Sequence, residues 1–173
     1  MKKLMTQPFF VLLGLVLSIN VAQAAPININ ITGVVVAAPC IVNNNDSNLN
    51  VDLGRNIQAS DLSAGGSGST LTPFTLSLTG CPSGTSSVKV SFSGAPETTA
   101  PTRYKNTGTA TNLAVELSQQ GTGTILGNGS TLTQAVQPDR TVTYALNARA
   151  YSVAGSVMPG NISAVVQANF TYN

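Results

Sequence analysis

The chain has 173 residues, of which only 8% are charged, and it contains no histidine. The lack of histidine removes the usual general base of a serine triad and the commonest zinc ligand. The formal net charge of +2 is accounted for by Lys2 and Lys3 at the front of the chain, so no basic cluster indicates nucleic-acid binding.

The first predicted element is an export signal. The two lysines precede an apolar run over residues 9–17, and the triplet Ala22-Gln23-Ala24 fits the small-x-small pattern of a cleavage site. The apolar run is too short to cross about 30 Å of hydrocarbon as a helix, so a membrane anchor is the disfavoured alternative. We predict a signal peptide over residues 1–24 that is cleaved on export, and no direct membrane insertion of the mature chain.

An N-terminal strand is predicted directly after the cleavage site, within residues 25–36. Its apolar positions alternate with mostly polar ones, which is the period of a strand with one buried face. A first strand paired within its own sheet is one interpretation, and a strand covered by another chain is the other. The alternating positions are Ile27, Ile29, Ile31, Gly33 and Val35.

Two cysteines, Cys40 and Cys81, remain in the exported chain. In an oxidising compartment, of which the bacterial periplasm is favoured here, two cysteines usually pair, and two separate free thiols are the alternative. Closing a loop of about 40 residues stabilises a fold by roughly 4 kcal/mol in the chain-entropy model. We predict a Cys40–Cys81 disulfide.

The body of the chain, residues 37–173, is predicted to be an all-β domain. Short apolar runs recur between clusters of Gly, Pro, Asn and Ser, and this spacing is typical of a β-sandwich. A weak helical turn is predicted near 57–63, and the glycine-rich stretch 64–70 is interpreted as a surface loop rather than a domain linker. Strands are predicted at 27–36, 40–43, 49–53, 72–79, 87–93, 112–118, 124–126, 141–151 and 162–172.

No catalytic, metal or cofactor site is predicted. Without histidine, the remaining candidates for acid–base chemistry are six carboxylates scattered along the chain. A glycosidase pair would need a cleft and a carboxylate separation of about 5–9.5 Å, and nothing in the sequence indicates either. We interpret the nearest pair, Asp46 and Asp52, as solvated surface.

The last predicted strand, 162–172, runs almost to the end of the sequence. If it takes the place of strand F in an immunoglobulin-like sandwich, no residues remain for a closing strand G. The sandwich would then expose an apolar groove beside its last strand, which is both an aggregation hazard and a docking site. The surplus strand of one chain would fill the groove of the next, and such head-to-tail contacts build an open filament.

Three motifs carry a resemblance to a known family. They are the arm with its glycine at Gly33, the pair Cys40 and Cys81, and a C-terminus with Tyr172 penultimate and Gly160 fourteenth from the end. With these motifs the chain resembles the subunits of chaperone–usher fimbriae, and among them the minor tip-adaptor subunits of type 1 fimbriae. Two body segments resemble the adaptor subunits in particular, Cys81-Pro82-x-Gly84-Thr85 and Tyr104-Lys105-Asn106-x-Gly108-Thr109-Ala110-x-Asn112.

The resemblance implies an incomplete immunoglobulin-like β-sandwich, the pilin fold, which lacks the final G strand and carries an N-terminal donor strand. A periplasmic pilus chaperone would bind the C-terminal strand, with its basic residues holding the terminal carboxylate. An outer-membrane usher would then replace the chaperone with the arm of a neighbouring fimbrial subunit. The residues implied for the chaperone- and donor-accepting strand are Gly160, Ile162, Ala164, Val166, Ala168, Phe170, Tyr172 and Asn173.

The function implied by the resemblance is structural rather than enzymatic. The chain would be a subunit of an adhesive fimbria, exported through the periplasm to the cell surface, in a minor or adaptor position that supports cell adhesion. A major rod subunit of the same pathway is the first alternative, and a single-domain fimbrial adhesin with a sugar site is the second.

Overall fold

A computed structural model describes residues 30–34 and 39–173. The chain divides into two units, Met1–Val34 and Val35–Asn173, and every strand given below belongs to the second. The predicted signal peptide lies outside the described residues, as do residues 27–29 and 35–36 of the predicted N-terminal strand. Its described part, residues 30–34, has no regular secondary structure. Across the described residues, no helix has the length and apolar character needed to cross a membrane.

Strands form where apolar side chains recur at every second position, because such a run buries one face and exposes the other. The longest strand shows this best, since each even-numbered residue from Val142 to Ser152 is buried. The described residues hold eight strands: β1 Ile41–Val42, β2 Thr72–Thr79, β3 Ser87–Gly94, β4 Tyr104–Lys105, β5 Leu113–Gln119, β6 Thr131–Ala135, β7 Val142–Ser152 and β8 Val166–Tyr172.

The strands form two antiparallel sheets. One has five strands in the order β1-β2-β7-β5-β4, and the other has three in the order β6-β3-β8. Inward-facing aliphatic residues of both sheets share one core, which contains Leu78, Val88 and Val90 among its fully buried members. This arrangement confirms the predicted immunoglobulin-like β-sandwich, in which β8 occupies one edge of the smaller sheet.

Two buried tyrosines in this core differ in their hydrogen bonding. The hydroxyl of Tyr144 donates to the carbonyl oxygen of Val88 at 2.7 Å, and its ring centroid lies 6.4 Å from that of Phe170. The hydroxyl of Tyr104 is equally buried but has no partner among the described residues. Burial raises the pKa of each phenol to about 12.

Apart from shifts at strand ends, the observed strands differ from the predicted ones at four places. Segment 49–53 forms no strand, and 124–126 contributes only the isolated bridge between Ser118 and Ile125. Strands β4 and β6 were not predicted, because β4 has only two residues and β6 is mostly polar. The helical turn is a 3₁₀ helix over Ala59–Leu62, within the predicted range.

Candidate strand-accepting groove

The outer edge of β8 is unpaired within residues 39–173. Strand β3 lies on one side of β8, and no described strand lies on the other. Next to β8, the N–H of Asn173 donates to the carbonyl oxygen of Ser87 at 3.0 Å, and the N–H of Ser87 donates back at 3.2 Å. Such bonded pairs recur at every second residue of an antiparallel ladder. The backbone N–H and C=O groups that point to the open edge are therefore those of Val166, Ala168, Phe170 and Tyr172.

The same residues of β8 direct their side chains toward the core. They are half-buried and pack against the core cluster, whereas the residues between them are exposed. Side chains that face the core yet stay half-buried indicate that part of their cover is missing. Each inward-facing residue of β8 thus offers a backbone donor, a backbone acceptor and an apolar side chain along one line.

An open groove runs beside this edge, with a cavity volume of about 2010 Å³. Small-molecule sites typically occupy about 300–1,000 Å³, so this groove is larger than such a site. On this side it is lined by residues 157–170, which include Val166 to Phe170 of β8. The groove therefore has dimensions suited to an extended peptide segment. Its apolar floor comes from both sheets and includes Phe74, Leu76, Phe92, Leu117, Leu146 and Ala148.

A glycine positions the chain just before β8. A Cβ atom on Gly160 would lie 2.6 Å from the carbonyl carbon of Thr109 and would also collide with the backbone nitrogen of Ala110. The φ angle of Gly160 is outside the left-handed region, so the glycine is needed for space rather than for backbone conformation. The main chains of the two segments therefore approach more closely than a side chain would allow.

Loop 106–110 binds the segment between Gly160 and β8. The N–H of Thr107 donates to the carbonyl oxygen of Ser163 at 2.8 Å, and the N–H of Ser163 donates to Oδ1 of Asn106 at 2.8 Å. Because these bonds replace a regular ladder, the strand begins at Val166 rather than at Ile162 as predicted. The alternation of half-buried and exposed side chains nevertheless continues from Ile162 through Ala164 to Tyr172.

Segment 46–58 also lines the groove, and it forms no strand although one was predicted at 49–53. Its alternating Leu49, Val51 and Leu53 line the groove. Among the described residues, the hydrogen bonds of this segment are local, such as the N–H of Asn48 to Oδ1 of Asp46 at 2.8 Å. The alternation was visible in the sequence, but it did not reveal that the segment has no neighbouring strand.

The disulfide between Cys40 and Cys81 is present, as predicted. It joins the start of β1 to the turn after β2, and both cysteines are buried. The Nε of Arg140 donates to the carbonyl oxygen of Cys81 at 2.6 Å, which also holds this corner of the sandwich. The covalent link fixes the edge of the larger sheet at which β1 pairs with β2.

The predicted donor residues divide between the described and undescribed parts of the chain. Ile31 and Gly33 are described and exposed, with 90% of the Ile31 surface open. Ile27, Ile29 and Val35 lie outside the described residues. Asn173 is exposed, and its carbonyl oxygen accepts hydrogen bonds from the N–H groups of Ser86 and Ser87 at 2.6 and 3.2 Å. Within the described ranges, no group of three acidic, cysteine or histidine side chains is placed to hold a metal ion.

Comparison of the sequence with known proteins finds a matching protein family and similar relatives. The model of a family described as fimbrial protein matches residues 29–173. The chain is 40% identical to protein FimG of Escherichia coli (strain K12) over 152 residues, which cover 87% of each chain. It is also 40% identical over 152 residues to the S-fimbrial adhesin protein SfaS of Escherichia coli O6:K15:H31 (strain 536 / UPEC), covering 87% of this chain and 88% of that protein.

A solved structure shows the same fold. The crystal structure of the P pilus rod subunit PapA superposes with a TM-score of 0.65, covering 79% of this chain and 100% of that one at 23% identity. At this level of identity the likeness concerns the fold, and it matches the two-sheet sandwich described above.

Proposed function

Because this chain belongs to the fimbrial protein family, we propose that it is a subunit of a chaperone–usher fimbria that joins its neighbours by donor-strand exchange. The observation that carries the proposal is the unpaired edge of β8 above an apolar groove. An open sheet edge is a template for another strand, and natural proteins normally cover or blunt it. In this fold the cover is best supplied by a second polypeptide.

The occupant that we propose is the N-terminal arm of a neighbouring fimbrial subunit, of the kind this chain carries at residues 25–36. Backbone groups of β8 would give the arm its affinity, and the groove would receive its alternate side chains. Ile31, which is exposed in the free chain, would become buried, and full burial of one isoleucine contributes about 1.5–3 kcal/mol before association costs. Several such anchors would make the joint durable, and the glycine at 33 would suit a point of close approach.

The proposed division of the chain follows from this assembly. Residues 1–24 would direct export, residues 25–36 would donate to one neighbour, and residues 37–173 would form the pilin domain that accepts from another. A head-to-tail contact between different surfaces generates an open filament rather than a closed ring. The chain would thereby take part in a polymer displayed on the cell surface.

Before assembly, the open edge needs a temporary partner. We propose that a periplasmic chaperone lends a strand to β8 and binds near Asn173, and that an outer-membrane usher exchanges it for the donor arm. Half-buried Phe170 and Tyr172 would otherwise promote aggregation in the periplasm. This route requires no catalytic group in the subunit, and we assign it a structural rather than an enzymatic role.

A minor or adaptor position is favoured over a major rod position. The body segments that resemble adaptor subunits, and the 40% identity to FimG over 87% of the chain, support this choice. A second candidate, a single-domain adhesin, is supported by the equal identity to SfaS, which is named an adhesin. Specific saccharide binding by the strand-complemented monomer would favour the adhesin over a purely connecting subunit.

The test of the proposal is strand acceptance by the oxidised mature chain. A synthetic peptide of residues 26–36 is added at about 1,000 times its dissociation constant, where binding contributes about 4 kcal/mol. For a domain of this size we expect the unfolding temperature to rise by roughly 8–16 °C. The matched control is the same peptide with Gly33→Leu, which should stabilise much less because its bulk collides in the groove.

Amide hydrogen exchange gives a residue-level readout of the same binding. Without peptide, the amides of Gln167, Asn169 and Thr171 should be protected by β3, whereas those of Ala168 and Phe170 should exchange quickly. Added peptide should slow exchange at Ala168 and Phe170 specifically. A chain that is already stable alone, with both sets of amides protected and no response to peptide, would contradict strand acceptance.

A further inference from the structure

One methionine follows the predicted signal peptide, and it lines the groove. Met1 and Met5 belong to the predicted signal, so Met158 is the single methionine of the exported chain. The sequence contains no tryptophan and no histidine, and its two cysteines, Cys40 and Cys81, are joined in a buried disulfide. Mild oxidants attack thioethers and free thiols most readily, and Met158 is the one such group that the exported chain retains.

The side chain of Met158 is exposed in the unfilled groove. Its residue is 59% exposed, and the exposed apolar residues Leu49 and Val165 line the same groove. Apolar residues that are exposed singly are ordinary at a protein surface, but several of them along one groove mark a surface that binds another chain. An unbranched, polarisable thioether suits such a place, because it adapts its shape to the chain that covers it.

The backbone on both sides of Met158 is held in place. The N–H of Met158 donates to the carbonyl oxygen of Thr111 at 3.3 Å. The preceding residue, Val157, is buried in a small apolar cluster that contains Leu62. Two residues after Met158, Gly160 approaches another backbone too closely to allow a side chain. Because its neighbours are fixed in this way, the thioether of Met158 has little freedom to withdraw from the groove into the domain.

Oxidation changes this side chain from apolar to polar. A peroxide transfers one oxygen atom to the sulfur, so that an S–O bond forms while the O–O bond breaks and the sulfur gives up two electrons. The proton of the transferred oxygen moves to the other oxygen, which leaves as water or an alcohol. Burying the polar sulfoxide without a hydrogen-bond partner is unfavourable. A strand that covers Met158 would therefore bind the sulfoxide form less tightly than the thioether form.

We propose that Met158 is a site of reversible oxidation that controls how well the groove accepts a donor strand. This inference rests on the proposed function, because the strand concerned is the donor arm. In the unassembled chain the exposed thioether reacts with a peroxide, and the sulfoxide weakens strand acceptance until a methionine sulfoxide reductase restores the thioether. In an assembled subunit the inserted strand covers Met158, so existing joints resist the oxidant that hinders new ones.

The experiment compares the disulfide-bonded mature chain before and after treatment with hydrogen peroxide. Mass spectrometry of the digested chain measures the addition of one oxygen atom to Met158, with and without the arm peptide of residues 26–36. We expect bound peptide to slow this oxidation at least about threefold, because susceptibility follows exposure. We also expect the sulfoxide form to bind the peptide at least about threefold more weakly, and the reductase to restore the affinity. An unchanged oxidation rate with peptide bound, or an unchanged affinity of the sulfoxide form, would overturn the proposal.

Two variants separate oxidation of the thioether from other effects of peroxide. Met158→Leu keeps an apolar side chain of similar volume that peroxide does not oxidise, so treatment should leave its affinity at its own untreated value. Met158→Gln places a polar group at similar length and should weaken binding without any peroxide. A loss of affinity in treated Met158→Leu, or none in Met158→Gln, would refute the site.

The wild-type chain alone distinguishes failure of this inference from failure of the proposed function. An untreated chain that does not bind the arm peptide would refute both. Equal binding by the untreated and the peroxide-treated chain would refute only the oxidation of Met158 as a control of strand acceptance. Rescue by the reductase needs no substitution, so it decides the question even if either variant fails to fold.

Discussion

Replacement of Gly160 by alanine tests how the chain is positioned at the start of β8. The added Cβ would lie 2.6 Å from the carbonyl carbon of Thr109 and 2.8 Å from the Cα of Ala110. Both are backbone atoms, so the contact is relieved only if loop 106–110 or the segment before β8 moves. Overpacking of this kind costs about 1–3 kcal/mol. Replacing a glycine by alanine also stabilises the fold by about 0.4–1 kcal/mol, because alanine restricts the unfolded chain.

At the midpoints of these two ranges, the expected net loss for Gly160→Ala is about 1.3 kcal/mol. For a domain of this size each kcal/mol shifts the unfolding temperature by about 2–4 °C, so a decrease of roughly 3–5 °C is expected. The measurement is thermal unfolding of the oxidised chain in the presence of saturating arm peptide. Saturating peptide keeps the groove filled in both variants, so a difference in unfolding temperature reflects the substitution and not a difference in how much peptide is bound.

Gly65→Ala is the matched control for this substitution. Its nearest neighbour, the carbonyl carbon of Ala154, would lie 3.4 Å from the new Cβ, and its φ is also outside the left-handed region. The control should be neutral or slightly stabilising. If Gly160→Ala is as stable as the control, the close backbone approach at Thr109 and Ala110 is wrong, and a purely external role for Gly160, such as recognition by a chaperone, becomes the better account.

Three further outcomes are expected. Replacing both Cys40 and Cys81 by serine should lower the free energy of unfolding by about 4 kcal/mol, measured in denaturant against the oxidised chain, and a loss below about 1 kcal/mol would contradict the crosslink's role. Tyr144→Phe should cost about 0.5–1.5 kcal/mol because it removes a hydrogen bond, whereas Tyr104→Phe should be neutral or stabilising because its buried hydroxyl has no described partner. Equal losses in both variants would show that Tyr104 is hydrogen-bonded. Tyr104 and Tyr144 both have a pKa of about 12 in the folded chain, above the usual value near 10. The stability linked to these raised pKa values is therefore fully present below pH 10 and is lost as the pH rises toward 12. A free energy of unfolding that does not change between pH 10 and 12 would refute this.

The sequence predicts most of the sandwich because its strands bury one face. Strand β2 is found at 72–79 as predicted, since its alternating residues lie between the glycine-rich stretch 64–70 and Gly80. Strand β6 could not be predicted, because its exposed threonines do not form an apolar pattern. Segment 49–53 shows the opposite error, in which a regular pattern exists without a neighbouring strand to pair with.

The candidate site was predicted along β8 but not across from it. The pattern from Ile162 to Tyr172 identified the inward-facing side chains, because side-chain direction follows local periodicity. The start of the ladder depends on Asn106 and Thr107, far away in sequence, which no local pattern reveals. The role of the arm around Ile31 stays a prediction, since periodicity shows that one face is apolar but not which chain covers it.

On β8 the free backbone groups and the inward side chains belong to the same residues. An incoming strand could therefore pair with β8 only in registers that differ by two residues. A slip by one residue would turn the apolar face of that strand to solvent, so partly inserted strands can advance only in steps of about 6.6–6.8 Å. Steps of that size leave few candidate registers along a strand of seven residues. A single glycine among larger anchors, as in the proposed donor arm, would then distinguish one register from the others. The accuracy with which subunits join would thus depend on the small number of allowed registers along β8 as much as on the strength of any one contact.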